Sequence, residues 1–147
     1  MDWKSYKINV DQRYHLNSQM KPAYKQQFDN VLAFHAPGLA PVSLKKKSWH
    51  IHPDGTPAYT HRFDRCFGFY EEKAAVVKDK RWFHILIDGN TAYKQQYKWV
   101  GNFQGGYCSV RDDNGHYHHI NFAGERLYSE NWYYCGDFRE STAVVQD

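Results

Sequence analysis

Four histidines head similar phrases in this chain. His50 opens "HIHPDGTPAY", His84 opens "HILIDGNTAY" and His119 opens "HINFAGERLY". With His15, they lie 35, 34 and 35 residues apart. Imidazole binds metals and exchanges protons near neutral pH, so four on one period could ring a metal ion or an anion. In an extended array they would stand too far apart to share one ion, because Zn–N bonds are about 2.0–2.1 Å. A repeated polar side chain on a strand more often satisfies a backbone group or packs against an aromatic ring. The four histidines are therefore read as scaffold.

Other reactive types are read in the same way. "GHYHHI" over 115–120 holds the local metal candidate, since His116 and His118 share one face of a strand. No further ligand pattern accompanies them, and no resident cofactor is expected. Cys66 and Cys135 fall in a column otherwise filled by Val31 and Val100, and Cys108 takes the place of Ala74 and Ala143. That makes them small buried hydrophobes. An odd count of three, with no CxxC spacing, points to a reducing, cytoplasmic compartment. Lys45–Lys47 is a basic hairpin tip whose charge is not kept along the chain. Trp3, Trp99 and Tyr134 are the aromatics that could stack on sugars or bases, or pack across strands. No phosphate loop, nucleophile elbow or acid pair stands out, so no catalytic residue is expected.

The elements that must position these groups follow from the period. Tyr24, Tyr59, Tyr93 and Tyr128 form one column, and Phe28, Phe63, Tyr97 and Trp132 a second. Phe34, Phe69, Phe103 and Phe138 form a third, and Gly55, Gly89 and Gly124 a fourth, with Met20 in the first copy. Several columns on one period signal a repeat architecture. "AAVVKDKRWFHIL" reads as two strands around a charged turn, and "DDNG" as a two-residue Asn-Gly hairpin turn. Asp54-Gly55 and Asp88-Gly89 mark a second turn. Tyr24, Phe28 and Val31 also fit helical spacing. That stretch is read as a tight turn or one helical turn, followed by glycine at 68, 101 and 136.

The expected fold is all-β. It is a tandem array of about four hairpin units of 34–35 residues, open and solenoid-like or partly propeller-like, with short helical turns allowed. One domain spans 1–147, divided near 1–36, 37–71, 72–105 and 106–140 with a partial unit at 141–147. Units this small bury their apolar faces only by stacking. The 18% aromatic content supplies the material for those contacts. A net charge of +3 gives no reason to expect a nucleic-acid partner, and no run approaches the roughly 18 apolar residues of a membrane span.

With "WFHI", then "DG", "AY" and "WVGNF", the chain resembles bacterial WG-type β-repeat proteins over nearly its whole length. The Trp-Gly pair is replaced here by "SWHI", "WFHI" and "YHHI". The resemblance implies an all-β array, often attached to larger proteins, and carries no catalytic residues with it. The expected function is a non-catalytic module for protein–protein interaction, or an accessory domain of a larger bacterial protein. The alternatives are a carbohydrate- or ligand-binding array and a metal-dependent protein using the histidine cluster. The apolar segment 143–146 would be an edge strand. It is expected to continue into further chain, to pair with residues near Tyr6–Val10 and close a ring, or to associate with a second copy. An open array is preferred to a ring.

Overall fold

The computed structural model describes residues 2–129, with the strands Tyr134–Cys135 and Val145–Gln146. The chain is all-β. The helical element among the described residues is one 3-10 turn, Trp3–Ser5.

Among the described residues, five small antiparallel sheets follow one another. β1 (Lys7–Ile8) pairs with β2 (His15–Leu16). β3 (Asn30–Val31), β4 (Ala40–Leu44) and β5 (Lys47–Ile51) form a three-stranded sheet. β6 (Arg65–Tyr70), β7 (Lys73–Lys78) and β8 (Arg81–Ile85) form the next. β9 (Trp99–Val100), β10 (Tyr107–Arg111) and β11 (Tyr117–Asn121) form the third of that kind. β12 (Tyr134–Cys135) pairs with β13 (Val145–Gln146). The partner of Val145 in the terminal ladder is thus Cys135, whereas Ile8 pairs with His15.

The core repeats with the strands. A small residue stands opposite an isoleucine in each three-stranded sheet: Ala40 and Ile51, Ala74 and Ile85, Cys108 and Ile120. All six are completely buried. The aromatics of the connecting segments then reach forward. Phe28 meets Trp49 with ring centroids 5.9 Å apart, Phe63 meets Phe83 at 6.1 Å, and Tyr97 meets His118 at 5.9 Å. Each contact joins the connection leaving one sheet to the third strand of the next.

Three sequence expectations change. The stretch from Tyr24 to Val31 is not helical, because its amides bond back to the segment just before β2: Phe28 N–H donates to Arg13 O, and Val31 N–H to Gln12 O. Gly68 and Gly101 do not hold equivalent places. Gly68 lies at a bulge in β6 and is packed against the His35 ring, while the backbone position matching Gly101 is Phe67. Asn114-Gly115 is not a two-residue turn. Asp112 N–H donates to His116 O, which leaves a three-residue loop with Gly115 at φ 82°. The two-residue turns are instead Lys45-Lys46, Glu71-Glu72 and Asp79-Lys80, each with both residues left-handed. That geometry matches strand twist even without glycine.

Candidate functional site

Each repeated histidine sits on the last strand of a sheet, and His15, His50 and His84 reach into the next unit. His50 lies on β5. Its Nδ1 is 2.5 Å from Tyr59 Oη in the connection, and its Nε2 is 2.7 Å from Phe67 O on β6. Its ring leans on Phe69 with centroids 4.5 Å apart. His84 repeats this with Tyr93 at 2.5 Å, Gly101 O at 2.8 Å and Phe103 at 4.6 Å. His15 does so with Tyr24 at 2.6 Å, Leu32 O at 2.8 Å and Phe34 at 4.4 Å. His119 Nδ1 is 2.8 Å from Tyr128 Oη. Phe138 lies outside the described residues.

The tautomer follows from the partners. A carbonyl only accepts, so Nε2 carries the proton and donates it. Burial lowers the pKa of His50 and His84 to about 4, against an opposing hydrogen bond to the carbonyl. Both rings are neutral at pH 7. Nδ1 therefore accepts, and the tyrosine O–H donates to it. Tyr24 Oη in turn accepts the His15 backbone N–H at 3.1 Å. The three groups form a closed staple in which one imidazole ties a strand, a connection and the backbone in or just beyond the first strand of the next sheet. In His15, His50 and His84 neither ring nitrogen is left over for a metal or a proton relay.

A second set of aromatics lies half-buried at the rim. Phe67 and Trp82 stack with centroids 5.4 Å apart and planes 14° apart. Trp82 and Trp99 are 6.5 Å apart, and Trp99 meets Tyr117 at 6.1 Å. The Arg65 guanidinium lies 4.8 Å from the Phe67 ring, and that of Arg111 lies 5.9 Å from the Tyr117 ring. Four rings and two cations thus run across the second and third three-stranded sheets.

The family described as WG containing repeat matches residues 51–82. That stretch is a WG-type β-repeat. The matched stretch runs from the end of β5 through the Asp54-Gly55 turn, Tyr59 and the whole of β6 and β7. It therefore spans a junction between two sheets. Among solved structures, BamB from Moraxella catarrhalis, a β-propeller-like protein, is similar with a TM-score of 0.52 at 12% identity. The likeness covers 76% of this chain and 40% of that one, and it concerns the fold. No curated protein matches the chain.

The remaining candidates are placed as follows. His118 is buried opposite Val110 on β10. Burial and, secondarily, Arg126 lower its pKa to about 4, and Arg126 Nη1 stands 3.4 Å from its Nδ1. His116 lies just before β11, its N–H donating to Asp112 Oδ1 at 2.9 Å. Among the described residues no three His, Cys, Asp or Glu side chains gather as a metal set. Cys66 and Cys108 are buried thiols, and burial pushes Cys66 up to about 12. The side chains of Cys135 and Tyr134 lie outside the described residues. Trp3 packs on Gly38, its ring 2.9 Å from where a Cβ would stand. Among the described residues no helix is long and apolar enough to cross a membrane.

Two features escape a reading of the sequence as separate columns. One is the backbone carbonyl 17 residues beyond each histidine, which side-chain identity does not mark. The other is the rim strip, whose members differ from unit to unit. The constant nine-residue offset between the histidine and tyrosine columns is the signal that would have found the staple.

Proposed function

We propose that this WG-type array is a non-catalytic module that presents its aromatic–arginine rim to a protein partner, either on its own or as an accessory part of a larger protein. The observation that carries this reading is the consumption of the repeated histidines and tyrosines by the staples. Their polar atoms are spent inside the fold, which argues against a role in acid–base chemistry. The strip of Phe67, Trp82, Trp99 and Tyr117 flanked by Arg65 and Arg111 has the Trp, Tyr and Arg composition that concentrates binding energy at protein interfaces.

A photo-crosslinking residue placed at Trp99 tests the reading, with one at the exposed His61 as the control. A single protein should recur as the adduct from position 99 and not from 61. It should be lost when Tyr117→Ser is added, with the melting temperature kept. Equal and diffuse labelling from both positions would overturn the proposal. So would a turnover that disappears on a single substitution. A carbohydrate reading rests on Trp99, whose ring makes tilted and edge contacts with its neighbours among the described residues. A glycan screen that shows no binding above background disposes of it.

A further inference from the structure

The junction between the first two three-stranded sheets breaks the repeat. Across β3, β4 and β5, Asn30, Ser43 and Ser48 stand side by side in register. The matching row of the next sheet is Arg65, Val77 and Trp82, and in the third sheet it is Trp99, Arg111 and Tyr117. At the later junction, the Trp82 and Trp99 rings occupy this place, 6.5 Å apart. At the earlier one, short polar side chains leave it open. The result is a cleft of about 260 Å³ bounded by the Asn30–Ser43–Ser48 row, Arg65, Leu32 and Phe67.

The chemistry of the cleft is one-sided. Ser48 is 2% exposed, and its hydroxyl meets that of Ser43 at 2.8 Å. Only one of those two protons is used between them, so the pair has a second O–H to give. Asn30 adds an amide with no hydrogen-bond partner among the described residues. The Arg65 guanidinium lies along the Phe67 and Trp82 rings, 4.8 and 5.9 Å from their centroids, with no carboxylate paired to it among the described residues. Stacking holds a guanidinium by its face and leaves its N–H edge for a planar oxyanion. The nearby acids are turned to the hairpin tips: Asp29 accepts from Lys45 N–H and Asp64 from Asp79 N–H, both at 2.8 Å. Donors and one fixed cation therefore face a recess walled by Leu32 and Phe67.

We propose that this cleft binds the oxyanion group of a small molecule, a carboxylate or a phosphate, with the Arg65 edge and the Asn30–Ser43–Ser48 row as donors. The volume of about 260 Å³ falls just below the usual span of ligand pockets, about 300 to 1,000 Å³, so the ligand is compact. Its apolar or sugar body lies against Phe67 and Leu32. The site occurs once because a ligand needs it once, whereas the staples recur because every junction needs one.

The test is calorimetric titration of the whole chain at constant ionic strength, with inorganic phosphate in one arm and benzoate in the other. Saturable one-to-one binding of either probe is expected, and the probe that binds assigns the oxyanion. Arg65→Gln should weaken it by about tenfold or more, the loss of a hydrogen bond to a charged group. Ser43→Ala with Ser48→Ala should weaken it while the charge stays. Arg81→Gln, which removes a guanidinium already paired with Asp113 at 2.5 Å, should bind as the parent does. Thermal melts establish that each variant is folded. The proposal fails if neither probe saturates, or if Arg65→Gln and Arg81→Gln bind both probes equally.

Discussion

The first unit and the interior units use one design under different loads. In the interior, Gly55 and Gly89 sit at φ 87°, and Gly124 at 80°. A Cβ on Gly89 would come within 2.7 Å of the Tyr59 ring, and one on Gly124 within 2.7 Å of Tyr93. In the first unit the same turn carries Met20 at φ 59°, with its side chain 58% exposed. Left-handed geometry alone is therefore compatible with a side chain. What requires glycine is the tyrosine of the preceding unit packed against it. The staples differ likewise. His15 keeps both of its partners, but its companion Phe34 is only half-buried, whereas Phe69 and Phe103 are 2% and 0% exposed.

The largest expected effect comes from those phenylalanines. Phe103→Ala should destabilise the chain by about 3–5 kcal/mol, as for a fully buried aromatic truncation. Phe69→Ala should cost nearly as much, and Phe34→Ala clearly less. Urea unfolding of the three variants checks the order. Equal losses would show that the first junction is packed as tightly as the others.

Acid should separate the units next. Burial holds His50 and His84 at about 4 in the folded chain, below their ordinary 6.5, so the unfolded chain binds protons first as the pH falls. Their contribution to stability is complete above pH 6.5 and is lost progressively toward pH 4. The span corresponds to roughly 3 kcal/mol for each histidine. For His15 burial lowers the pKa in the same direction. His84→Gln should therefore flatten the fall in urea midpoint between pH 7 and pH 4, and His15→Gln should flatten it less. A slope unchanged by His84→Gln would mean that the imidazole takes up its proton inside the fold without cost.

Much of this was legible in the sequence, because the residues that stack recur. The period, the all-β class and the burial of Phe69 and Phe103 follow from columns of like side chains. The role of Tyr59 toward His50 did not, since it depends on a connection folding back by bends. Helical spacing left an ambiguity for the same reason: Tyr24 and Phe28 face one another as rings 5.8 Å apart without a helix between them. The Asn114-Gly115 turn was misplaced because Asp112 extends the ladder by one more pair, which dipeptide chemistry does not reveal. The cleft was hidden because it is made by departures from the repeat. Asn30, Ser43, Ser48 and Arg65 look unremarkable until register sets them side by side.

Gly89→Ala tests the close approach directly. The added Cβ meets ring carbons of Tyr59 and Cδ2 of His61 at 2.7–2.9 Å in a backbone conformation that already disfavours alanine. About 2 kcal/mol or more should be lost, combining left-handed strain with overpacking. Adding Tyr59→Ala should return part of that loss relative to Tyr59→Ala alone. A purely additive double mutant would place the whole cost in the backbone.

The smallest effect is expected at the matching place in the first unit. Met20→Gly removes the side chain from a left-handed residue, a gain of up to roughly 1 kcal/mol. It also frees the unfolded backbone, a loss of about 0.5–1 kcal/mol relative to alanine. The two nearly cancel, so the melting temperature should move by no more than a degree or two. Met20→Ala should be similarly mild, because the position stands in solvent and no glycine-sized gap has to be kept. If Met20→Gly instead gained as much as Gly89→Ala loses, backbone strain would explain both turns, and the tyrosine contact would not be the reason the interior units keep glycine.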